Sequence, residues 1–226
     1  GILKFQLAVV YIFAGIAKLN ADWLFEAQPL RTWLQAHHNI PLVGGFMQEK
    51  WLAYAFSWTG CIYDLFIVFF LLSNRFRPYA YFFVIFFHVV TWYLFPIGVF
   101  PWVMIFSTLI FFHEETHQKV LNWLEGLFTK VKRSKELITK PRATSTTMRY
   151  FLIVFIAAQL LIPFRFVLYP GDLFWNEEGF RFSWRVMLMH KEGYATFYLH
   201  DKATGRESEI NNAKFLTRTQ EDQMAT

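Results

Sequence analysis

The stretch Tyr11-Ile12-Phe13-Ala14-Gly15-Ile16-Ala17-Lys18-Leu19-Asn20-Ala21-Asp22-Trp23-Leu24 closes an apolar run that begins at Ile2. Residues 2–19 carry few charges and approach the roughly 20 residues a helix needs to cross a bilayer core. Lys18 sits at the inner edge of that run, and Asp22 and Trp23 follow about one helical turn later. A lysine at such a depth is costly unless it is solvated, paired or neutral, which makes it a functional candidate. The competing reading is a lysine that snorkels to the interface or pairs with Asp22.

Four more apolar segments follow, near 51–73, 79–95, 97–112 and 149–168. The chain is 55% hydrophobic and 21% aromatic, with 28 Phe among 226 residues, more apolar surface than a soluble domain of this size needs. The expected fold is therefore a mainly α membrane protein: a helical bundle of about five spans, followed by a β-rich exoplasmic region. Gly1 lies inside a hydrophobic segment with no basic region before it, so the start does not read as a signal peptide. The expectation is a chain truncated at both ends. The third and fourth segments are split by Phe95-Pro96-Ile97-Gly98-Val99-Phe100-Pro101, whose prolines and glycine break a helix. They form either a tight helical hairpin or one broken, re-entrant element. Cys61 is the single cysteine and cannot form an intrachain disulfide.

With five spans, Arg75, Arg77, Lys119, Lys130, Lys132, Arg133, Lys135, Lys140 and Arg142 fall on one side. Lys18, Arg31 and Lys50 fall on the other. The positive-inside rule makes the first side cytoplasmic, and puts Lys18 and the C-terminal region at the exoplasmic face. The expected organisation is a bundle over 1–112, broken near 95–101, then a cytoplasmic basic helix and loop over 113–148. A last span over 149–168 leads to the start of a β-rich domain over 169–226. Residues Val120 to Val131 have apolar positions at helical spacing, which suits a helix lying on anionic lipid or one packed on the bundle. Phe180, Phe182, Trp184, Val186 and Leu188 alternate with Arg181, Ser183, Arg185, Met187 and Met189, a strand pattern. Tyr194 to Leu199 reads as a second strand. Lys191-Glu192-Gly193 and Asp201-Lys202-Ala203-Thr204-Gly205 supply turns.

Several constellations carry potential chemistry. A free lysine is a poor base at neutral pH, with a pKa near 10.4. Burial disfavours its charged form, and a neutral amine beside a membrane-dissolved acid can act as general base. His113-Glu114-Glu115-Thr116-His117 matches H-E-x-x-H, in which two histidines on one helix face bind Zn²⁺ and Glu114 acts as base. It falls where a span leaves the membrane, among charged residues and without a third-ligand pattern. His88 and Asp64 are mid-span polar groups facing the bundle interior, with His88 a possible hydrogen-bonding partner of Asp64. Phe100, Trp102 and Met104 follow the Pro-Gly break and can line a flat aromatic ligand or simply pack helices. There is no Gly-rich phosphate loop, Ser/His/Asp arrangement or CxxC. The basic stretch fits membrane lipids better than nucleic acid.

Ala14-Gly15-Ile16-Ala17-Lys18-Leu19-Asn20-Ala21-Asp22-Trp23-Leu24 and Pro29-Leu30-Arg31-Thr32-Trp33-Leu34 open a series of short motifs. The series continues through Asp64-Leu65, Phe87-His88, Leu94 to Phe100 with Val103-Met104, and Phe182-Ser183-Trp184-Arg185-Val186-Met187. In this order and spacing the chain resembles the vitamin K-dependent γ-glutamyl carboxylase family and its bacterial HTTM (horizontally transferred transmembrane domain) relatives. The resemblance implies a multi-span membrane enzyme with a β-rich exoplasmic domain. Reduced vitamin K, O2 and CO2 are then the small-molecule reactants, with no metal, and a glutamate-containing protein or peptide is the partner. The family's catalytic lysine matches Lys18, which would deprotonate the hydroquinone. Its quinone-lining positions match Phe100, Met104, Trp184 and Met187, and His88 matches a family histidine. Ala17 departs from the second lysine often found before the catalytic one. His113 to His117 is not part of the family pattern.

The resemblance implies a chemistry that suits the residues. A hydroquinone is a weak acid, so a neutral lysine amine is a sensible partner. Oxygenation of the anion yields a base strong enough for the weakly acidic γ-hydrogens of glutamate, and the carbanion captures CO2. An apolar, membrane-embedded pocket keeps water from quenching that base. The alternatives are an intramembrane zinc metalloprotease using His113, Glu114 and His117, and a non-enzymatic quinone- or lipid-binding scaffold.

Overall fold

The computed structural model describes residues 1–127, 145–217, 220, 221 and 224, apart from 42, 96, 192 and 194. The expected basic residues Lys130, Lys132, Arg133, Lys135, Lys140 and Arg142 lie outside the described residues, as do Pro96, Glu192 and Tyr194. The chain divides into two compact units, Gly1–Leu188 and Met189–Thr226.

The first unit is helical. Helix α1 (Ile2–Ala17) leads into short helices α2 (Ala21–Phe25), α3 (Leu30–Gln35) and α4 (Gly44–Met47). Helix α5 (Lys50–Leu72) and α6 (Arg77–Leu94) are joined by a tight turn, and α7 (Phe100–Thr108) runs on into a 3-10 turn over Leu109–Phe111. Helices α8 (Glu114–Leu127) and α9 (Thr146–Leu161) follow, the latter extended by a 3-10 segment over Ile162–Leu168, and α10 (Leu173–Asn176) ends the helical series.

Among the described residues two helices are long and apolar enough to cross a membrane, Lys50–Leu72 and Thr146–Leu168, each of 23 residues. The other three expected spans are helices of 16, 18 and 9 residues, the last lengthened by its 3-10 turn. Helix α9 has no buried residue, although it is mostly apolar. It touches α1 through a Gln6–Gln159 hydrogen bond at 3.0 Å, and its 3-10 extension does so through a Phe13–Phe164 ring contact at 5.3 Å. Phe66, Phe69, Tyr79, Phe82 and Phe86 are likewise exposed on α5 and α6. Such an apolar exterior is what a bilayer solvates.

Inside the bundle α1 packs along α5 because Gly15 permits it. A Cβ there would sit 2.8 Å from the Leu65 side chain and 2.9 Å from the Leu65 backbone nitrogen. The Cys61 thiol lies 3.8 Å from the Gly15 carbonyl at the same crossing. One apolar cluster joins α1, α5, α6 and α7 through Tyr11, Val68, Leu71, Val84, Met104 and Phe111. A second joins Ala17, Trp23, Leu30, Leu34, Cys61, Leu94 and Leu188. Arg77 terminates α5, its guanidinium donating to the carbonyls of Leu71 and Leu72 at 2.8 and 3.2 Å and so satisfying helix-end acceptors.

The Pro-Gly break resolves as a hairpin. The Ile97 amide donates to the Phe95 carbonyl at 2.8 Å, and Gly98 takes φ +61° before α7 begins. Trp92 meets Trp102 at 5.4 Å, and farther from the turn the Tyr81 ring meets Phe112 at 5.3 Å, so α6 and α7 run antiparallel.

The alternation from Phe180 to Met189 is not a strand. These residues form successive turns, with Phe182, Trp184 and Met187 at φ of 62°, 57° and 62°. Left-handed backbone at three positions is incompatible with an extended ladder. Gly179, at φ +77°, brings this segment against Phe166, where a Cβ would lie 2.6 Å from the Phe166 Cα.

In the second unit the expected second strand is present as β1 (Phe197–His200), paired antiparallel with β2 (Glu207–Ile210) from Phe197↔Ile210 to His200↔Glu207. The expected Asp201–Gly205 turn joins them. The Ala203 amide and the Thr204 hydroxyl donate to the Asp201 carboxylate at 2.9 and 2.5 Å, and Gly205 sits at φ +68°. Among the described residues this is the whole sheet.

Candidate functional site

Lys18 caps α1, one residue past its end, and is only 5% exposed. Its chain turns back into the bundle instead of reaching outward. The amine donates to Asp64 Oδ2 on α5 at 2.8 Å and lies 3.4 Å from the Ala14 carbonyl. It also stands 5.2 Å from the centre of the Trp23 ring, close enough for a cation–π contact. The Gly15–Leu65 close approach places Asp64 in reach of Lys18. Trp23 is fixed from below by reciprocal bonds to α5: its indole N–H donates to the Ser57 carbonyl at 2.8 Å, and the Ser57 hydroxyl donates to the Trp23 carbonyl. Asn20 caps α2, its side chain accepting from the Trp23 amide at 2.9 Å.

The Lys18–Asp64 pair lines a partly open cavity between the helices. Tyr11 and Ala14 come from α1, Gly60 and Asp64 from α5, Phe87, His88 and Thr91 from α6, and Phe100 and Met104 from α7. Val186 and Met187 close it from the turn segment. Apart from Lys18, Asp64, His88, Thr91 and two aromatic polar tips, the lining is apolar. Such a wall with a few convergent polar groups is the usual make-up of a small-molecule site.

Of the six positions matched through the resemblance, Lys18, His88, Phe100, Met104 and Met187 line the cavity, and so does Asp64. Trp184 packs against the adjoining apolar cluster. Two expected pairings are replaced. Lys18 is bonded to Asp64 rather than Asp22, because the lysine chain folds back into the bundle toward α5. His88 does not pair with Asp64. Its Nδ1 donates to the Val84 carbonyl at 2.9 Å and has the Tyr63 hydroxyl at 3.5 Å. A carbonyl can only accept, so Nδ1 carries a proton in this contact. The Tyr63 ring stacks on Phe87 at 4.0 Å behind it. Thr108 Oγ1 donates to the Met104 carbonyl at 2.7 Å, which leaves it to accept from Tyr11, 3.4 Å away.

Tyr11, Phe87, Thr91 and Val186 were not singled out as site residues. The Lys18–Asp64 contact spans 46 positions, so no local spacing reveals it. The signal was the presence of two oppositely charged groups in apolar segments, each needing a partner. Outside the spans, the Arg185 guanidinium stacks over Phe166 at 4.4 Å, and burial lowers its pKa from the ordinary arginine value.

Residues 1–115 match the HTTM domain family, and residues 144–226 match the vitamin K-dependent gamma-carboxylase, lumenal domain family. The chain belongs to the vitamin K-dependent gamma-carboxylase and HTTM-domain family. The first match covers the helices that carry Lys18, Asp64, His88, Phe100 and Met104, and the second covers Trp184 and Met187. No solved structure matches the chain. The family and the apolar helices make it a membrane protein with a lumenal-type region.

The H-E-x-x-H match does not form the helical zinc site its spacing suggests. Helix α8 starts at Glu114, leaving His113 outside it, and His113 Nε2 is bonded to Asn74 Oδ1 at 3.0 Å. Among the described residues no three His, Cys, Asp or Glu side chains gather as a metal would require.

Proposed function

We propose that the protein is a vitamin K-dependent γ-carboxylase-like membrane enzyme whose Lys18 amine removes a proton from reduced vitamin K bound in the cavity. The observation that supports this most is the convergence of Lys18, His88, Phe100, Met104 and Met187 on one mostly apolar cavity. The lining fits the group: flat aromatic and thioether side chains suit a quinol ring, and the buried amine and imidazole suit its hydroxyls. When bound, reduced vitamin K with O2 supplies a base stronger than any side chain and is converted to its epoxide, while glutamate of a protein or peptide is carboxylated with CO2.

The chain's own residues do the rest. Phe100, Met104 and Met187 hold the ring and exclude water, with Trp184 packed behind them. His88, its Nδ1 proton committed to Val84, lines the same cavity. Lys18 accepts the hydroxyl proton. The chemistry is assigned to the exoplasmic face on the charge distribution of the sequence.

The test uses the full-length protein in nanodiscs with reduced vitamin K, O2, a glutamate peptide and labelled CO2. Formation of both epoxide and γ-carboxyglutamate is expected, with Met104→Ala and Met187→Ala raising KM for the quinol. Quinol binding with no product would instead favour a binding scaffold and overturn the proposal.

A further inference from the structure

Asp64 has no assigned role, yet it is 6% exposed, lines the cavity and bonds the proposed base at 2.8 Å. Its other oxygen, Oδ1, makes no bond to a charged group among the described residues, so Lys18 is the one cation paired with it there. Removing either member leaves a buried charge without compensation, which ties the two groups into one unit.

We propose that Asp64 is the positioning residue for Lys18, and that the two share one proton in the resting cavity. This rests on the proposed role of Lys18. The pair is then neutral as a whole, whether the proton lies on nitrogen or oxygen, which suits an apolar site. With the proton on Asp64, the amine is free to accept another. When the quinol hydroxyl gives up its proton, one O–H bond breaks and one N–H bond forms on Lys18. The pair goes from neutral to a single positive charge as the quinol goes to a single negative one. Asp64 also aims the amine. The lysine chain would otherwise be free to leave the cavity, and a misplacement of about 1 Å can cost about 10²-fold in rate. The Gly15 contact, which sets the α1–α5 spacing, thereby sets the distance between acid and amine.

The experiment measures epoxide formation from reduced vitamin K by full-length wild type, Asp64→Asn, Asp64→Glu, Lys18→Ala and Lys18→Ala/Asp64→Asn in nanodiscs, with folding followed by thermal unfolding. Asparagine keeps the shape and one acceptor but cannot share a proton. Asp64→Asn is expected to lower kcat about 10²-fold while KM for the quinol changes less than about threefold. Asp64→Glu keeps a carboxyl group but moves it by one methylene, and is expected to retain more turnover than Asp64→Asn, with a loss below about 10²-fold. The double variant is expected to be no slower than Lys18→Ala alone, because a residue acting through Lys18 has nothing to act on once the amine is gone. A wild-type kcat in Asp64→Asn beside a dead Lys18→Ala overturns the role of Asp64 and leaves that of Lys18 standing. Additive losses in the double variant do the same, as they mark a merely structural carboxylate. Asp64→Glu as slow as Lys18→Ala overturns proton sharing even if Asp64→Asn fails to fold. Undiminished turnover in Lys18→Ala overturns both roles together.

Discussion

Two acid–base contacts, one in each compact unit, differ in how far they are buried. Lys18–Asp64 is 2.8 Å long, with side chains 6% and 9% exposed, inside the helical unit. His200–Glu207 is 3.4 Å long, with side chains 59% and 67% exposed, across the β1–β2 hairpin. The first pair is nearly shielded from solvent, so each partner depends on the other and on the wall around them. The second is a solvated cross-strand pair of small consequence. Chemistry that needs an amine free of competing water belongs at the first, and the hairpin pair serves local structure at most.

The sharpest way to break this contrast is Asp64→Leu. It leaves the Lys18 amine buried without its partner and should cost about 3–5 kcal/mol, read as a lower unfolding temperature in nanodiscs. The apolar double variant Lys18→Met/Asp64→Leu should recover most of that stability, since it removes both charges. Gly15→Leu should cost about 1–3 kcal/mol by forcing α1 away from the Leu65 backbone, and should slow epoxide formation by moving Lys18 off Asp64. Trp23→Phe removes the indole donor from the buried Ser57 carbonyl and should cost about 1–3 kcal/mol. At the other pole, Glu207→Ala should shift stability by no more than about 0.5 kcal/mol and leave turnover unchanged.

The smallest effect is a titration in the hairpin turn. The Thr204 hydroxyl, the main cause, and the Ala203 amide lower the Asp201 pKa from 3.8. A carboxylate depressed in this way stabilises the turn fully at neutral pH, and that contribution is lost as pH falls through its folded-state value. Thr204→Val should move the Asp201 titration toward the ordinary carboxylate value, measured by NMR.

Much of the helical unit was legible because its signals are local. The apolar run ending at Lys18, the Pro-Gly break between α6 and α7, and the Asp201–Gly205 turn each announce themselves within a few residues. Short motifs also exposed most of the residues that line the cavity. What was hidden is long-range or conformational. The Lys18–Asp64 bond depends on a glycine crossing between helices far apart in sequence. Phe180 to Met189 alternates like a strand, but three residues at positive φ fold it into turns that deliver Met187 to the cavity. Alternation reports which side chains are apolar, not whether the backbone extends. Near H-E-x-x-H the side-chain packing decided the outcome, since His113 at the start of α8 is bonded to Asn74 in the α5–α6 turn.

The most direct measurement of the central claim compares wild type with Lys18→Ala for both binding and turnover of reduced vitamin K. The expected result is quinol affinity within about threefold of wild type and an epoxide rate lower by about 10²–10⁴-fold, the range a lost general base accounts for. An epoxide rate equal to wild type in Lys18→Ala would contradict the account.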